Sequence, residues 1–137
     1  MDSETGGIEL DEKVSGLADL GRLLTAFSAA LEATGASDRL RRRALLVMEE
    51  LTANVLSHAG EGVSASLRLR AVADEAAIKI SYPGPAFDPT DPENVPIPNP
   101  DRPGGHGLRL IQALSTHLCY VRHTNRNSVH AFIRQED

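Results

Sequence analysis

The chain of 137 residues has the size of one ordinary domain, and its 14 basic and 19 acidic residues give a formal net charge of −5. This acidic balance argues against general binding of nucleic acid or anionic membranes, because both need a basic face. The single cysteine, Cys119, excludes an intramolecular disulfide and a cysteine-cluster metal site, and its apolar surroundings predict a buried thiol. Since no signal peptide or membrane-spanning apolar run is visible, we expect a cytoplasmic protein.

The first part of the chain predicts a strand followed by a helix. After a polar arm of residues 1–7, the segment IELDEKV (8–14) is expected to form an edge strand, within a single domain that covers 8–137. Apolar residues then recur at helical spacing, in a helix that begins at Ser15 or Asp19 and ends at Gly35.

A second helix and a hairpin are predicted next. Ser37 is the expected N-cap of a helix that continues to about His58 and is stopped by Gly60 and Gly62. The segments VSASLRLRAVA (63–73) and AAIKISY (76–82) both alternate between apolar and polar residues, which predicts a hairpin with one buried face.

The last third of the chain predicts a long loop, a helix and a closing hairpin. Residues 83–105 contain most of the prolines and show no period, so they are expected to be a loop. A helix over 108–118 and a hairpin that turns around Asn125, Arg126 and Asn127 complete the chain. The order β-α-α-β-β-loop-α-β-β predicts an α/β (α+β) two-layer sandwich, with helices on one face of a mostly antiparallel sheet.

The second helix carries a line of three polar residues. Glu50, Asn54 and His58 are spaced by four, and each step of four turns the helix by only about 40°. They should therefore follow the border of the apolar stripe, with His58 crossing into it. Solvated boundary residues and a satisfied core histidine would explain this pattern as well as a site would. As a site, the Asn54 oxygen suits Mg²⁺, and Glu50 is placed to act as a general base for phosphoryl transfer.

A glycine-rich segment precedes the last predicted helix. Gly104, Gly105 and Gly107 in GGHGLRLIQAL allow the backbone to approach an anion, and the helix N-terminus offers unpaired amides to phosphate oxygens. The ordinary alternative is a flexible turn before the helix. The segment is neither a P-loop nor a dinucleotide fingerprint, since no GK[ST] follows it and no strand leads directly into it.

In combination, EELTANVLSHA, a strand ending in a G-P-A-F-D-P loop, a long loop and GGHGLRLIQAL resemble the GHKL ATPase superfamily of histidine-kinase-like ATPases. Within it, the chain is similar to the small bacterial anti-sigma-factor serine/threonine kinases, from about residue 8 onward and with the motifs in the same order. The resemblance implies a sandwich that holds ATP between helices and a mobile lid. It implies phosphorylation of an anti-sigma-factor antagonist protein and binding of a sigma factor. It is also compatible with a homodimer, and implies no nucleic-acid or membrane partner.

The resemblance also assigns roles to individual residues. It makes Glu50 the catalytic base, Asn54 the Mg²⁺ ligand, His58 the end of the same motif and Gly84 the glycine of the adenine-side loop. The other positions that it assigns to the cofactors, ATP and Mg²⁺, are Tyr82, Gly104, Gly105, His106, Gly107 and Leu108.

Tyr82 departs from the family pattern, which has an aspartate two residues before the loop glycine to read the adenine amino group. Tyrosine offers no carboxylate, and its ring can fill the space of the adenine; Asp88 is expected in the outer part of the loop and is no substitute. Loss of the hydrogen bond between this carboxylate and the adenine amino group would strongly weaken the binding of ATP. The kinase therefore has two competitors: a non-catalytic binding module of the same fold, and a pocket for a different small ligand. The retained Glu50 and Asn54 favour the kinase.

Overall fold

The computed structural model describes residues 7–59, 62–94 and 106–135. Their helices and strands, in chain order, are β1 (Ile8–Val14), α1 (Leu20–Ala33), α2 (Asp38–Ala59), β2 (Ala65–Val72), β3 (Glu75–Pro83), α3 (His106–Leu114), β4 (His117–His123) and β5 (Arg126–Arg134). Two short 3₁₀ turns, Leu17–Asp19 and Pro92–Asn94, precede α1 and interrupt the long loop. The predicted order of elements is confirmed.

The five strands form one sheet in the order β1-β2-β3-β5-β4, and every neighbouring pair is antiparallel. The predicted edge position of β1 and the two predicted hairpins are confirmed. Because β3 lies at the centre, its last residues are flanked by β5 on one side, and Tyr82 pairs directly with Asn127.

One face of the sheet is buried and the other is open. Alternate residues such as Leu67, Ile80 and Ile133 are at most 1% exposed, whereas their neighbours on the opposite face, such as Arg68, remain accessible. The apolar stripe of α2, which includes Val47, packs on the buried face together with α1 and α3. This is the predicted two-layer sandwich, and apolar side chains at strand and helix spacing produce it because both layers must bury one face.

The helix ends agree closely with the local sequence. The Ser37 Oγ accepts a hydrogen bond from the Leu40 amide at 3.1 Å, so the predicted N-cap of α2 is confirmed. Gly35 follows α1 with φ of +82°, a conformation that costs glycine little. The carboxylate of Asp19 accepts from the Ser15 amide at 2.8 Å and does not cap α1, which begins at Leu20.

In the last third, the predicted boundaries of the helix and of the closing turn were wrong. The last helix begins at His106, two residues before the predicted start at Leu108. It ends at Leu114 and not at residue 118, because the Thr116 amide already donates to the Phe132 carbonyl at 2.7 Å, where β4 joins β5. Asn127 belongs to β5, and the turn lies at Thr124 and Asn125, where Thr124 has φ of +53°.

Cys119 is partly exposed on the edge strand β4, with its Sγ 3.0 Å from His117 Nε2, so the expected burial of this thiol was also wrong. The other predictions reach beyond the described residues: the arm of residues 1–7 apart from Gly7, the helix stop at Gly60, and the loop beyond Asn94 with Gly104 and Gly105. Within the ranges given above, no helix has both the length and the apolar character that a bilayer span requires.

Candidate functional site

A cleft of about 270 Å³ lies between the C-terminal half of α2, the start of α3 and the 3₁₀ turn at Asn94. Its lining residues are Glu50, Ala53, Asn54, Ser57, His58, Asn94, Gly107 and Leu108. Five residues predicted from the sequence thus meet in one place, although more than 45 positions separate the two groups. The backbone of His106 begins α3, whereas Tyr82 and Gly84 do not line this cleft.

Glu50 faces the start of α3 at close range. A Cβ added to Gly107 would lie 2.5 Å from Glu50 Oε1, so the carboxylate occupies space that only a glycine leaves free. Gly107 does not have a positive φ, and its role in the fold is therefore spatial. Burial raises the pKa of the Glu50 carboxyl, and repulsion by Glu49 raises it further. A half-buried carboxyl with a raised pKa is a stronger base than an ordinary one.

Asn54 lies one turn beyond Glu50 on the same helix and lines the same cleft. No side-chain hydrogen bond joins it to another residue of the described ranges, so its carboxamide oxygen is available to a ligand. An amide oxygen suits Mg²⁺, which binds few protein groups and takes the rest of its ligands from water and phosphate. The part of the chain that the structure describes contains no group of three or more His, Cys, Asp or Glu side chains that could hold a metal by themselves.

His58 does not cross into the apolar stripe as the helical spacing predicted. It is exposed, because it lies in the last turn of α2 at the rim of the cleft. Its ring stacks on Phe87, with the ring centroids 4.0 Å apart and the planes inclined by 26°. The interpretation of His58 as a satisfied core histidine is therefore wrong, and the histidine instead connects α2 with the loop that follows β3.

Tyr82 is built into the core and is only 2% exposed. Burial raises the pKa of its hydroxyl to about 12, with a further contribution from Tyr120, so the phenol is neutral at physiological pH. Tyr82 thus provides no negative charge next to Gly84. Asp88 does not line the cleft, and its Oδ1 accepts hydrogen bonds from the amide and the hydroxyl of Thr90 within its own turn.

The loop after Tyr82 is held by the β4–β5 hairpin. Gly84, with φ of +134°, donates its amide to the Asn125 carbonyl at 3.0 Å, and its carbonyl accepts from Arg122 at 2.6 Å. Asn127 donates to the Pro85 carbonyl at 2.9 Å. The loop is consequently held in place by the hairpin, and Phe87 within it stacks on His58 at the rim of the cleft.

Sequence reasoning missed Asn94, which lines the cleft, and it missed Arg122 and Asn127, which hold the loop after Tyr82. Asn94 lies within the proline-rich loop, where no period indicates which side chains turn inward. Asn127 was detectable, because residues 127, 129, 131 and 133 continue the alternation of β5 and place it on the buried face.

The fold matches that of solved histidine kinase structures. The catalytic domain of histidine kinase ThkA, in a nucleotide-free form, superposes with a TM-score of 0.52 at 14% identity, over 92% of this chain and 96% of that one. The histidine kinase AdeS of Acinetobacter baumannii gives a TM-score of 0.50 at 20% identity, over 93% of this chain and 68% of that one. At these identities, the likeness shows the fold alone.

Sequence comparison identifies the family. Residues 14–133 match the family model for the histidine kinase-like ATPase domain, and the chain belongs to this family. A curated relative, the serine/threonine-protein kinase BtrW of Bordetella bronchiseptica, is 35% identical over 97 residues, which cover 66% of this chain and 68% of BtrW.

Proposed function

We propose that this protein is an ATP- and Mg²⁺-dependent protein serine/threonine kinase that regulates a sigma factor by switching between two protein partners. The observation that carries the proposal is the shared cleft at the start of α3, which is lined by the Glu50 carboxylate and the Asn54 carboxamide. A carboxylate with a raised pKa and an amide oxygen one helical turn apart are the groups that phosphoryl transfer from a magnesium nucleotide needs.

Each residue has a defined part in this reaction. Asn54 would hold Mg²⁺, which neutralises charge on the phosphate oxygens. Glu50 accepts the proton of the substrate serine hydroxyl as the terminal phosphoryl group of ATP passes to that oxygen and ADP leaves. Gly107 leaves room for Glu50, and the amides at the start of α3 favour a nearby phosphate.

The partners follow from the family resemblance and from the name of the relative. BtrW is a serine/threonine-protein kinase by name, which supports a protein substrate here. The resemblance supplies an anti-sigma-factor antagonist as the phosphorylated partner and a sigma factor as the alternative partner. Such a switch operates in the cytoplasm.

The second candidate function is a non-catalytic binding module of the same fold. The buried and neutral Tyr82 favours it, because a tyrosine in the core next to Gly84 supplies no carboxylate to an adenine amino group. Nucleotide binding separates the two candidates. The kinase requires it, whereas the module would bind its partner proteins without it.

Isothermal titration calorimetry with ATP, ADP and GTP, with and without Mg²⁺, tests the proposal. The wild-type protein should bind ATP in the presence of Mg²⁺, and Asn54→Ala should abolish the Mg²⁺-dependent part. Glu50→Ala should still bind ATP, and its rate of phosphotransfer should fall by about a hundredfold or more. Absence of binding at millimolar nucleotide would overturn the kinase in favour of the module.

Glu32→Ala is the matched control for both variants. Glu32 is an exposed glutamate on α1 that does not line the cleft, so this variant should bind nucleotide and transfer phosphate as the wild type does. Unchanged ATP affinity in Asn54→Ala would show that Asn54 does not bind the metal. A normal rate of phosphotransfer in Glu50→Ala would show that Glu50 is not the base.

A further inference from the structure

Asn127 is a fully buried polar residue whose hydrogen bonds leave its own strand. Of the residues that the structure describes, the buried polar or charged ones are Thr52 and Asn127, each with no exposed surface. The Thr52 hydroxyl donates to the Met48 carbonyl within its helix at 2.8 Å. Asn127, by contrast, bonds to the loop after β3 and to Tyr120, so its burial serves a contact between distant segments.

The carboxamide of Asn127 bonds on both of its ends. Its Nδ2 donates to the Pro85 carbonyl at 2.9 Å, and its Oδ1 accepts from the Phe87 amide at 3.3 Å and from the Tyr120 hydroxyl. Burying an amide is favourable only when such partners exist. The two bonds to the loop lie at the ends of the three-residue span from Pro85 to Phe87. One side chain therefore fixes both the position and the orientation of this span.

The loop cannot hold this shape by itself. Pro83 and Pro85 have no N–H, so a strand-like ladder cannot continue through the segment. The amide and carbonyl of Gly84 bond to Asn125 and Arg122, and the Pro85 carbonyl and the Phe87 amide bond to Asn127. Phe87 is thus held at the point where its ring stacks on His58, which lines the cleft.

We infer that Asn127 is a positioning residue for the nucleotide cleft: it fixes the loop that holds Phe87 against His58, and His58 lines the cleft. The expected effect of Asn127 on nucleotide affinity rests on the proposed function, whereas its effect on the position of Phe87 does not. If Asn127 had a purely structural role, its replacement would lower the stability of the protein and leave the stacking of His58 on Phe87 unchanged. A positioning residue changes that stacking in the folded protein.

Proton NMR of the His58 ring provides a direct test without any ligand. The ring current of Phe87 displaces the His58 signals, which His58→Gln identifies, and Phe87→Leu shows their position without the stack. Asn127→Ala should move the signals most of the way to the Phe87→Leu position. Ser128→Ala is the matched control, because Ser128 bonds to Ser81 on the opposite face of the same strand and should leave the signals in place.

A second pair of variants keeps the test decisive when Asn127→Ala is too unstable to study. Tyr120→Phe removes only the hydroxyl that donates to Asn127 and should move the His58 signals in the same direction by a smaller amount. Ile133→Val lowers the stability from the inner face of the same strand and should not move them. Unmoved signals in a folded Asn127→Ala, or in Tyr120→Phe when it alone folds, would overturn the inference.

Calorimetry with Mg²⁺ and ATP separates this inference from the proposed function. Asn127→Ala should weaken nucleotide binding about tenfold, while Ser128→Ala keeps the wild-type affinity. If the wild-type protein binds no nucleotide, the proposed function fails, and the NMR comparison still decides whether Asn127 sets the position of Phe87. An affinity for ATP that stays unchanged although the stack is lost would show that the position of Phe87 does not affect nucleotide binding.

Discussion

The ionised carboxylate of Glu50 lowers the stability of the folded protein. Its pKa is raised in the folded state, above the ordinary glutamate value of 4.5, first by burial and then by Glu49. The folded state therefore binds this proton more tightly than the unfolded state does. The stability of the wild type then falls as the pH rises from 4.5 through the raised pKa, and the loss persists at neutral pH.

Glu50→Gln should accordingly raise the free energy of unfolding at neutral pH, and the gain should disappear below the ordinary pKa of 4.5, where both states are protonated. Urea unfolding at a series of pH values measures the difference. Glu93→Gln, at an exposed position, is the control and should show no such gain. An equal or lower stability of Glu50→Gln at neutral pH would contradict the assigned cause of the pKa shift.

The approach of α3 to α2 depends on a glycine at the contact. Gly107 has ordinary φ, but a Cβ at this position would meet Glu50 Oε1 at 2.5 Å. Since real Cβ contacts are not that short, the side chain of Glu50 must move when Gly107 is replaced. The flexible carboxylate can do so without unfolding either helix, so the substitution tests the position of the Glu50 carboxylate separately from the fold.

Gly107→Ala should leave the protein folded and lower the rate of phosphotransfer at saturating ATP by about tenfold or more, because the proposed base, Glu50, is displaced. Carbon-13 NMR titration of the Glu50 carboxyl should show its pKa changed from that of the wild type. Gly21→Ala in α1 is the matched control, since an added Cβ there meets nothing within 4 Å. Unchanged rate and pKa in Gly107→Ala would show that the close contact does not fix Glu50.

One arginine joins both layers of the sandwich at the end remote from the cleft. Arg43 on α2 donates to the Leu114 carbonyl at the C-terminal end of α3 at 2.9 Å and to the Arg134 carbonyl at the end of β5 at 3.2 Å. A cation is favourable at a helix C-terminus, where carbonyls lack intrahelical partners. Arg43 thus ties α2, α3 and the last strand together, and the relative position of α2 and α3 determines the cleft.

Arg43→Met should lower the free energy of unfolding by about 1–2 kcal/mol, because it removes two charge-assisted hydrogen bonds and keeps most of the apolar stem. Urea denaturation measures the change. Arg42→Met, at the exposed neighbouring position, should stay within about 0.5 kcal/mol of the wild type. Equal stabilities of the two variants would show that the contacts of Arg43 contribute little.

Local patterns were sufficient for most of the fold. The alternation in 63–82, the N-cap at Ser37 and the glycine after α1 each depend on a few neighbouring residues, and each prediction was confirmed. The last helix was predicted too long, because the apolar Leu118 continues a helical spacing although its backbone already pairs with Ala131 of β5. Boundaries of this kind are set by competition between a helix and a sheet, which a local window does not contain.

The candidate site was likewise predictable where it depends on neighbouring residues, and not where it depends on contacts between distant segments. Glu50 and Asn54 share one helix, so their spacing alone placed them on a common line, and the glycine motif indicated where a phosphate would meet a helix. The sequence also determined that Tyr82, and not an aspartate, stands two residues before Gly84. Only the tertiary structure decided that Tyr82 is a core residue, that His58 is exposed and stacks on Phe87, and that Asn127, 42 positions from Pro85, holds the loop. These contacts join segments far apart in the chain, and the packing of the sheet against α2 brings them together.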